Sequence, residues 1–184
     1  MQVQTTDLPG VLVIEPNVFE DGRGFFKETY HKTRYAEAGC DGEFVQDNLS
    51  RSSRGTLRGL HFQIKHAQGK LVQAFRGEVF DVAVDLRSDS PAFGKWFGIV
   101  LSDSNHRQLL IPPGLAHGFS VLSDTADLFY KCTDLYHPEH ERTLLWNDVD
   151  VNIDWPLETE PLLSDKDRQG TPLADLECFE TSPS

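Results

Sequence analysis

The chain has 184 residues, of which 39% are hydrophobic and 25% charged, and its formal net charge is -12 at pH 7. This length and composition are typical of a globular protein with a substantial core, and we expect residues 1–184 to form a single domain. The acidic balance, with no basic stripe, argues against nucleic acid as a partner.

The first predicted elements are strands followed by one helix. "VLVIEP" has the composition of a strand, and "GRGFFKETY" follows an Asp-Gly turn. The segment "ETYHKTRYAEAG" predicts a helix over residues 28–39, because a glycine such as Gly39 commonly ends a helix.

From "EFVQDNLSRS" onward the pattern is that of β-structure. The segment "KLVQAFRGEVFDVAVDLR" predicts a hairpin with its turn at Arg76-Gly77. Every second residue of its second arm is apolar, which gives one face to a core. The other face, with Asp81 and Asp85, is more polar and is expected to meet a cavity or solvent.

Four further strands are predicted in "GKWFGIVLS", "RQLLIP", "AHGFSVLS" and "ADLFYKCTDLY", each bounded by turn residues. Many short strands at close spacing favour a sandwich or barrel. We therefore predict an all-β, jelly-roll-like barrel with a short N-terminal helix. The tail after "IDWP" is irregular, and "LLSDKDRQG" is expected to form one short helical turn.

The compartment is indicated by what the sequence lacks. No apolar run is long enough to cross a bilayer, so we expect no membrane association. The first residues, "MQVQTTDLPG", have neither the basic patch nor the apolar stretch of a signal peptide. Three cysteines, an odd number without paired spacing, favour a reduced, cytoplasmic protein.

Two histidines fall on the metal-binding patterns of cupin barrels. Gly55 precedes His61 at the cupin distance, and "PPGLAH" places His117 on the second pattern. However, Gln63 stands where the first pattern requires its second histidine. His66 is no substitute, since its loop lies outside the strand alternation. Two histidines are too few for zinc or iron, so we expect no metal and no cofactor.

The neighbours of these histidines point instead to a polar ligand. Arg58, Lys70 and the run Gln46-Asp47-Asn48 are costly to bury unless a ligand pairs with them. The pocket that they line is therefore expected to hold a polar molecule, most simply an anion.

Motifs along most of the chain resemble those of one family, the dTDP-4-dehydrorhamnose 3,5-epimerases. They are "FEDGRGFFKE", "FVQDNLSRSSRGTLRGLHFQ", "AQGKLVQAFRGEVFDVAVDLR", "SPAFGKW", "IPPGLAHGF", "YKCTDLY" and "WNDVDVNIDWP", between about Val11 and Gly170. The resemblance implies a metal-free cupin barrel that epimerises C3 and C5 of dTDP-4-dehydro-6-deoxy-D-glucose. The product is dTDP-4-dehydro-L-rhamnose, a precursor of dTDP-L-rhamnose.

The resemblance also implies a role for each catalytic residue. His61 is the base, and Asp167 in "LSDKD" is its partner. Tyr130 in "FYKC" is the proton donor on the other face of the sugar, and Lys70 stabilises the enolate oxygen. This set matches the chemistry, because enolisation beside a ketone needs a base, an acid and a charge at the keto oxygen.

Substrate-binding roles follow from the same resemblance, with Tyr136 expected to stack on thymine and His117 to lie close to the sugar. The full set of expected substrate contacts is Arg23, Glu28, Gln46, Asp47, Asn48, Arg58, Lys70, His117, Tyr136, Glu141 and Lys166. Because an N-terminal stretch crosses to the partner subunit in this family, a homodimer is expected.

Three alternatives remain open from the sequence. A related enzyme that epimerises only C3 or only C5 of a nucleotide-linked 4-keto-6-deoxy sugar would carry the same histidine and tyrosine. A metal-dependent cupin, such as a dioxygenase, would contain stoichiometric iron or zinc. A non-catalytic sugar-nucleotide binder would have no activity to lose.

Overall fold

Antiparallel strands account for most of the regular structure in the computed structural model, which describes residues 1–40 and 42–180. Within these residues there are two large sheets and one small hairpin. The larger sheet has six strands and the other has five. The all-β prediction is confirmed.

The strands have the following bounds: β1 Gln2–Thr5, β2 Leu12–Glu15, β3 Val18–Asp21, β4 Gly24–Lys27, β5 Gln46–Ser53, β6 Leu57–Gln63, β7 Lys70–Arg76, β8 Glu78–Asp85, β9 Trp96–Ser102, β10 Gln108–Ile111, β11 Leu115–Val121, β12 Thr125–Cys132 and β13 Glu141–Thr143. The six-stranded sheet has the order β1-β2-β10-β7-β12-β5, the five-stranded sheet has the order β13-β6-β11-β8-β9, and β3 pairs with β4. Two short helices are α1, Lys32–Glu37, and α2, Asp165–Arg168. None of the helices in the described part of the chain is long and apolar enough to cross a membrane.

The main core lies between the two large sheets. Val72, Leu109 and Leu128 of the six-stranded sheet meet Ala83 and Phe119 of the five-stranded sheet there. Because side chains alternate along a strand, each sheet also has an outer face that must be covered. Tyr35 of α1 packs on Leu71 and Leu110 outside the six-stranded sheet.

The C-terminal tail covers the outer face of the five-stranded sheet. Phe179, with the partly buried Trp155 and Leu173, packs against a cluster that includes Val82 and Val84. Two backbone links fix the path of the tail, since Leu162 N donates to Gly55 O at 2.8 Å and Thr171 N donates to Thr143 O at 2.8 Å. The tail is irregular, as predicted, and α2 is its predicted helical turn.

Two predicted elements differ from the structure. The hairpin prediction with its turn at Arg76-Gly77 is wrong, because β7 and β8 belong to different sheets and do not pair. At this corner Gly77 has a φ of +70°, and a Cβ there would lie 2.2 Å from Thr125 O. The helix predicted over 28–39 is shorter: it begins after His31, whose side chain accepts from Arg34 N, and it ends before Gly39.

Candidate active site

A cavity of about 700 Å³ opens between the two large sheets near one end of the barrel. This volume is in the range of pockets that hold a drug-sized ligand. Most of the predicted site residues line it, and these are Gln46, Asn48, Arg58, His61, Lys70, His117, Tyr130, Tyr136, Glu141, Lys166 and Asp167.

His61 and Asp167 form a hydrogen-bonded pair in this cavity. His61 lies on β6, and its Nε2 is 2.6 Å from Asp167 Oδ1. Asp167 is also held by the N-cap of α2, since the Ser164 hydroxyl donates to its Oδ2 at 2.7 Å. Gly59 N donates to Oδ1 at 3.3 Å. The carboxylate is thus fixed by three donors and orients the imidazole.

The electrostatics of this pair keep the imidazole neutral and the carboxyl ionised. Burial lowers the pKa of His61 below its ordinary value, although the hydrogen bond to Asp167 opposes this effect. Burial alone would raise the pKa of Asp167, but the hydrogen bonds from His61 and Ser164 lower it overall. With Asp167 ionised, Nε2 of His61 carries the proton, and Nδ1 keeps a lone pair for accepting one.

Lys70 and Tyr130 enter the cavity from the other sheet. They lie on neighbouring strands, with Tyr130 opposite Val72 and Lys70 opposite Cys132, so they are diagonal neighbours on one face. Burial raises the pKa of Tyr130 to about 12. Burial lowers the pKa of Lys70, whose Nζ donates to His61 O at 3.4 Å. Because its pKa is raised, the Tyr130 phenol holds its proton at neutral pH.

A second histidine–carboxylate pair, which was not predicted from the sequence, lies beside the first. His117 is directly opposite His61 in the pairing of β11 with β6, and its ring contacts that of Tyr130 edge-on at 6.2 Å between centroids. Its Nε2 lies 2.9 Å from Asp81 Oδ2, and Asp81 is fully buried. The sequence placed Asp81 on the polar face of β8, where it was expected to meet a cavity or solvent. It gave no indication that Asp81 pairs with His117.

The rim of the cavity carries an aromatic ring and charged groups. The Tyr136 hydroxyl donates to Glu141 Oε2 at 3.1 Å, and Lys166 Nζ donates to the same oxygen at 2.9 Å. The Tyr136 ring is 49% exposed, which leaves it open to stacking. Arg58 is positioned by its Nε, which donates to Ser52 Oγ at 3.0 Å.

Three predicted substrate contacts are not brought to this cavity within one chain. Arg23 lies in the β3–β4 turn, where its guanidinium pairs with Asp21 at 2.6 Å. Glu28 pairs with Arg34, and Asp47 pairs with Lys131 Nζ at 2.7 Å on the exposed side of β5. Within one chain, each of these side chains is therefore already paired with an oppositely charged residue.

Gln63, which stands where the cupin pattern has a metal-binding histidine, instead joins the backbone of two loops. It is buried, and its Nε2 donates to His66 O at 2.7 Å and to Leu135 O at 3.2 Å. Its Oε1 accepts from His137 N at 2.6 Å. The sequence singled out Gln63 as a departure from the cupin pattern but gave no indication that it joins two loops.

The comparisons with known proteins agree with the geometry. A family model described as dTDP-4-dehydrorhamnose 3,5-epimerase matches residues 5–175. A Pseudomonas aeruginosa protein of that name is 58% identical over 180 residues, which cover 97% of this chain and 99% of the relative.

Solved structures show the same fold. A Legionella pneumophila dTDP-6-deoxy-D-glucose-3,5-epimerase, in complex with dTDP-4-keto-L-rhamnose, has a TM-score of 0.93 and 50% identity, covering 96% of this chain and 94% of that one. A Streptomyces bikiniensis 3'-monoepimerase in complex with dTDP-quinovose has a TM-score of 0.86 and 34% identity, covering 92% of this chain and 86% of that one.

Proposed function

The chain belongs to the dTDP-4-dehydrorhamnose 3,5-epimerase family, and we propose that it epimerises both C3 and C5 of dTDP-4-dehydro-6-deoxy-D-glucose. One observation of the cavity supports epimerisation at this site. A base, His61, and a proton donor, Tyr130, reach one cavity from opposite sheets. Inversion of a carbon centre requires this arrangement, because the proton must leave from one face and return to the other.

In the first step His61 removes the proton from the carbon beside the ketone. The proton moves to Nδ1, the C–H electron pair forms the enolate double bond, and negative charge develops on the keto oxygen. The Asp167 carboxylate, 2.6 Å from Nε2, stabilises the imidazolium as it forms. The low pKa of His61 ensures that the base is neutral before it acts.

Lys70 stabilises the enolate. Its ammonium is buried on the opposite sheet of the cavity, where Nζ donates to the backbone carbonyl of His61 at 3.4 Å. A buried cation interacts more strongly with developing charge than an exposed one, because less solvent screens it. Lys70 therefore lowers the barrier at the point where the keto oxygen becomes negative.

In the second step Tyr130 delivers its phenolic proton to the opposite face of the same carbon. The enolate double bond provides the electron pair for the new C–H bond, and the ketone re-forms. The phenolate and the imidazolium then return to their starting states by proton exchange with solvent. Repetition at the second carbon gives the doubly inverted product.

The nucleotide occupies the rim of the same cavity. Tyr136 stacks on the thymine, and Arg58 and Lys166 supply positive charge for the diphosphate. Gln46 and Asn48 contribute amide donors from β5. His117 lies beside the sugar, where its imidazole is held by Asp81.

We further propose that the active unit is a homodimer in which Arg23 and Glu28 reach the partner's cavity. The hairpin formed by β3 and β4 exposes Phe19, Phe25 and Phe26. Each of these residues is between 57% and 69% exposed. Exposed aromatic residues clustered in this way are typical of an interface.

The outer face of the six-stranded sheet is a second part of the proposed interface. Leu49 and Phe75 are exposed there, and Phe75 stacks on Phe129 at 4.8 Å between ring centroids. Gln73, two residues from Phe75 on the same face, is fully buried, and its amide has no hydrogen-bond partner among the described residues. A second copy on this face would cover the exposed Leu49 and Phe75.

The cysteines favour a reducing compartment, and we propose the cytoplasm. Cys132 is buried on β12, and its sulfur accepts a hydrogen bond from Asn48 Nδ2 at 3.5 Å. A thiol in such a position packs as a small apolar side chain.

The test is isotope incorporation from deuterated water. Incubation with dTDP-4-dehydro-6-deoxy-D-glucose is expected to give product with deuterium at both C3 and C5, read by NMR. Label at only one of these carbons would contradict the proposal and would show that the protein is a single-position epimerase. His61→Ala is expected to slow incorporation by roughly 10²–10⁴-fold, while its affinity for dTDP stays within a few-fold of wild type.

A further inference from the structure

Three imidazoles lie together on the outside of the barrel, in a part of the molecule that the proposed epimerase mechanism does not use. His66 follows β6, while His137 and His140 precede β13. The ring centroids of His66 and His137 are 4.2 Å apart in a stacked arrangement, and those of His66 and His140 are 5.7 Å apart. We propose that His66, Asp134 and His137 bind a divalent transition metal ion, with zinc as the best match.

The donor atoms are close enough to share one ion. One ligand atom from each of the three residues lies within 4.8 Å of the other two. Tetrahedral zinc with bonds of about 2.1 Å requires ligand atoms about 3.4 Å apart. His66 Nδ1 and Asp134 Oδ2 are already 3.3 Å apart, so rotation of the His137 side chain is the main adjustment needed.

The backbone beneath this cluster is held in place by partly buried hydrogen bonds. The Gln63 side chain, 3% exposed, bonds the backbone of His66, Leu135 and His137, as described above. Gln68 Nε2 donates to Asp134 O at 2.9 Å. All three ligand-bearing segments are therefore joined through two glutamine side chains. Such prior ordering reduces the entropy lost when an ion binds.

The donor set defines the class of ion. Two neutral imidazoles and one carboxylate suit Zn²⁺, Co²⁺, Ni²⁺ or Cu²⁺, whereas Mg²⁺ and Ca²⁺ prefer oxygen donors alone. Three protein ligands leave at least one position for water or for a further donor such as His140. The side chains of His66, Asp134 and His137 are between 32% and 49% exposed, so an ion can reach them from solvent.

The proposed site is separate from the two histidines of the barrel. His61 and His117 each bind a buried carboxylate through Nε2. Two residues of the surface cluster, Asp134 and His137, instead lie on either side of Tyr136 in the sequence. An ion there would tie the segment that carries Tyr136 to the loop that carries His66.

Two variants and a matched control test the site. His66 has a φ of +55°, a conformation that asparagine tolerates, so His66→Asn removes the imidazole with little backbone strain. His106 has a φ of +57° and lies outside the cluster, so His106→Asn is the matched control. His137→Gln removes the second imidazole.

The measurement is titration of the purified protein with Zn²⁺ against a chromophoric chelator, repeated with Co²⁺, whose visible spectrum reports coordination. Wild type and His106→Asn are expected to bind one ion per chain with the same affinity. His66→Asn and His137→Gln are each expected to lose on the order of tenfold affinity or more. Failure of wild type to bind one ion, or equal binding by all four proteins, would overturn the proposal. Because the readout is metal affinity, this result is independent of the epimerase test.

Discussion

His61 and His117 are directly opposed in the antiparallel pairing of β6 and β11, and each imidazole binds its own buried carboxylate through Nε2. Two oriented imidazoles from the same sheet therefore lie side by side in the cavity. They differ in origin, since Asp81 lies on a central strand whereas Asp167 lies on the tail. The two carboxylates can therefore be substituted one at a time to test the role of each pair.

We expect Asp167→Asn to lower kcat by roughly 10²–10⁴-fold. The amide would donate to Nε2 of His61, which forces the proton onto Nδ1 and removes the lone pair that faces the sugar. Asp81→Asn is the matched substitution, since Asp81 also binds an Nε2 and is also buried. Its effect on the deuterium exchange rate is expected to be at least tenfold smaller. Equal losses would mean that His117 also acts as a base.

Tyr130→Phe is expected to separate enolisation from inversion. The ring and its packing remain, but the proton for the second face is lost. In deuterated water the variant should still exchange the substrate hydrogen through His61, while formation of the inverted product falls by roughly 10²-fold or more. NMR of the recovered substrate measures exchange and NMR of the product measures inversion. A parallel fall in both would assign Tyr130 to the first step instead.

The pH profile of kcat/KM follows from the pKa values of three groups. His61 must be neutral, and burial lowers its pKa, so the acidic midpoint is expected below the ordinary value of 6.5. Lys70 must be charged, and burial lowers its pKa from 10.5, so activity falls at high pH with a midpoint below that value. Tyr130, with a pKa of about 12, keeps its proton throughout this range.

Lys70→Arg checks the alkaline assignment. An arginine side chain stays charged at every pH used, so the alkaline limb is expected to move upward even if the overall rate falls. An unchanged alkaline midpoint would assign that limb to another group. An acidic midpoint above 6.5 in wild type would contradict the assignment of His61.

Hybrid dimers test the proposal that Arg23 acts on the partner's cavity. Arg23→Ala and His61→Ala subunits, co-expressed with different tags and purified as the mixed dimer, should combine one intact site from both chains. That hybrid is expected to recover about half of the wild-type rate per dimer. The hybrid of Asp167→Ala with His61→Ala is the control, because both residues belong to one chain's cavity and no intact site can form. Equal activity of the two hybrids would show that Arg23 acts within its own chain.

The sequence predicted the strands well because alternation and turn residues are local properties. It failed at the corner between β7 and β8, where the pattern expected for a hairpin is also the pattern of a strand that passes from one sheet to the other at Gly77. Both cases alternate apolar and polar residues around a glycine. Which sheet a strand joins depends on distant partners, and local alternation does not contain that information.

The candidate site shows the same limit. His61, Tyr130 and Asp167 were predicted from motifs that resemble a family, and the geometry places all three in one cavity. Asp81 was on the predicted polar face of its strand, but its pairing with His117 depends on the register of β8 with β11. Arg23 and Glu28 lie away from the cavity of their own chain, so a single sequence cannot indicate whose substrate they contact.

The position of Asp167 in the C-terminal tail means that the proposed partner of His61 is synthesised late. Among the residues that the structure describes, the last strand ends at Thr143, so the strands of both sheets emerge from the ribosome before Asp167 does. The same tail carries Trp155 and Phe179, which cover the outer face of the five-stranded sheet. A chain that ends before Asp167 therefore lacks this carboxylate and also leaves an apolar face of the sheet exposed to proteases and chaperones.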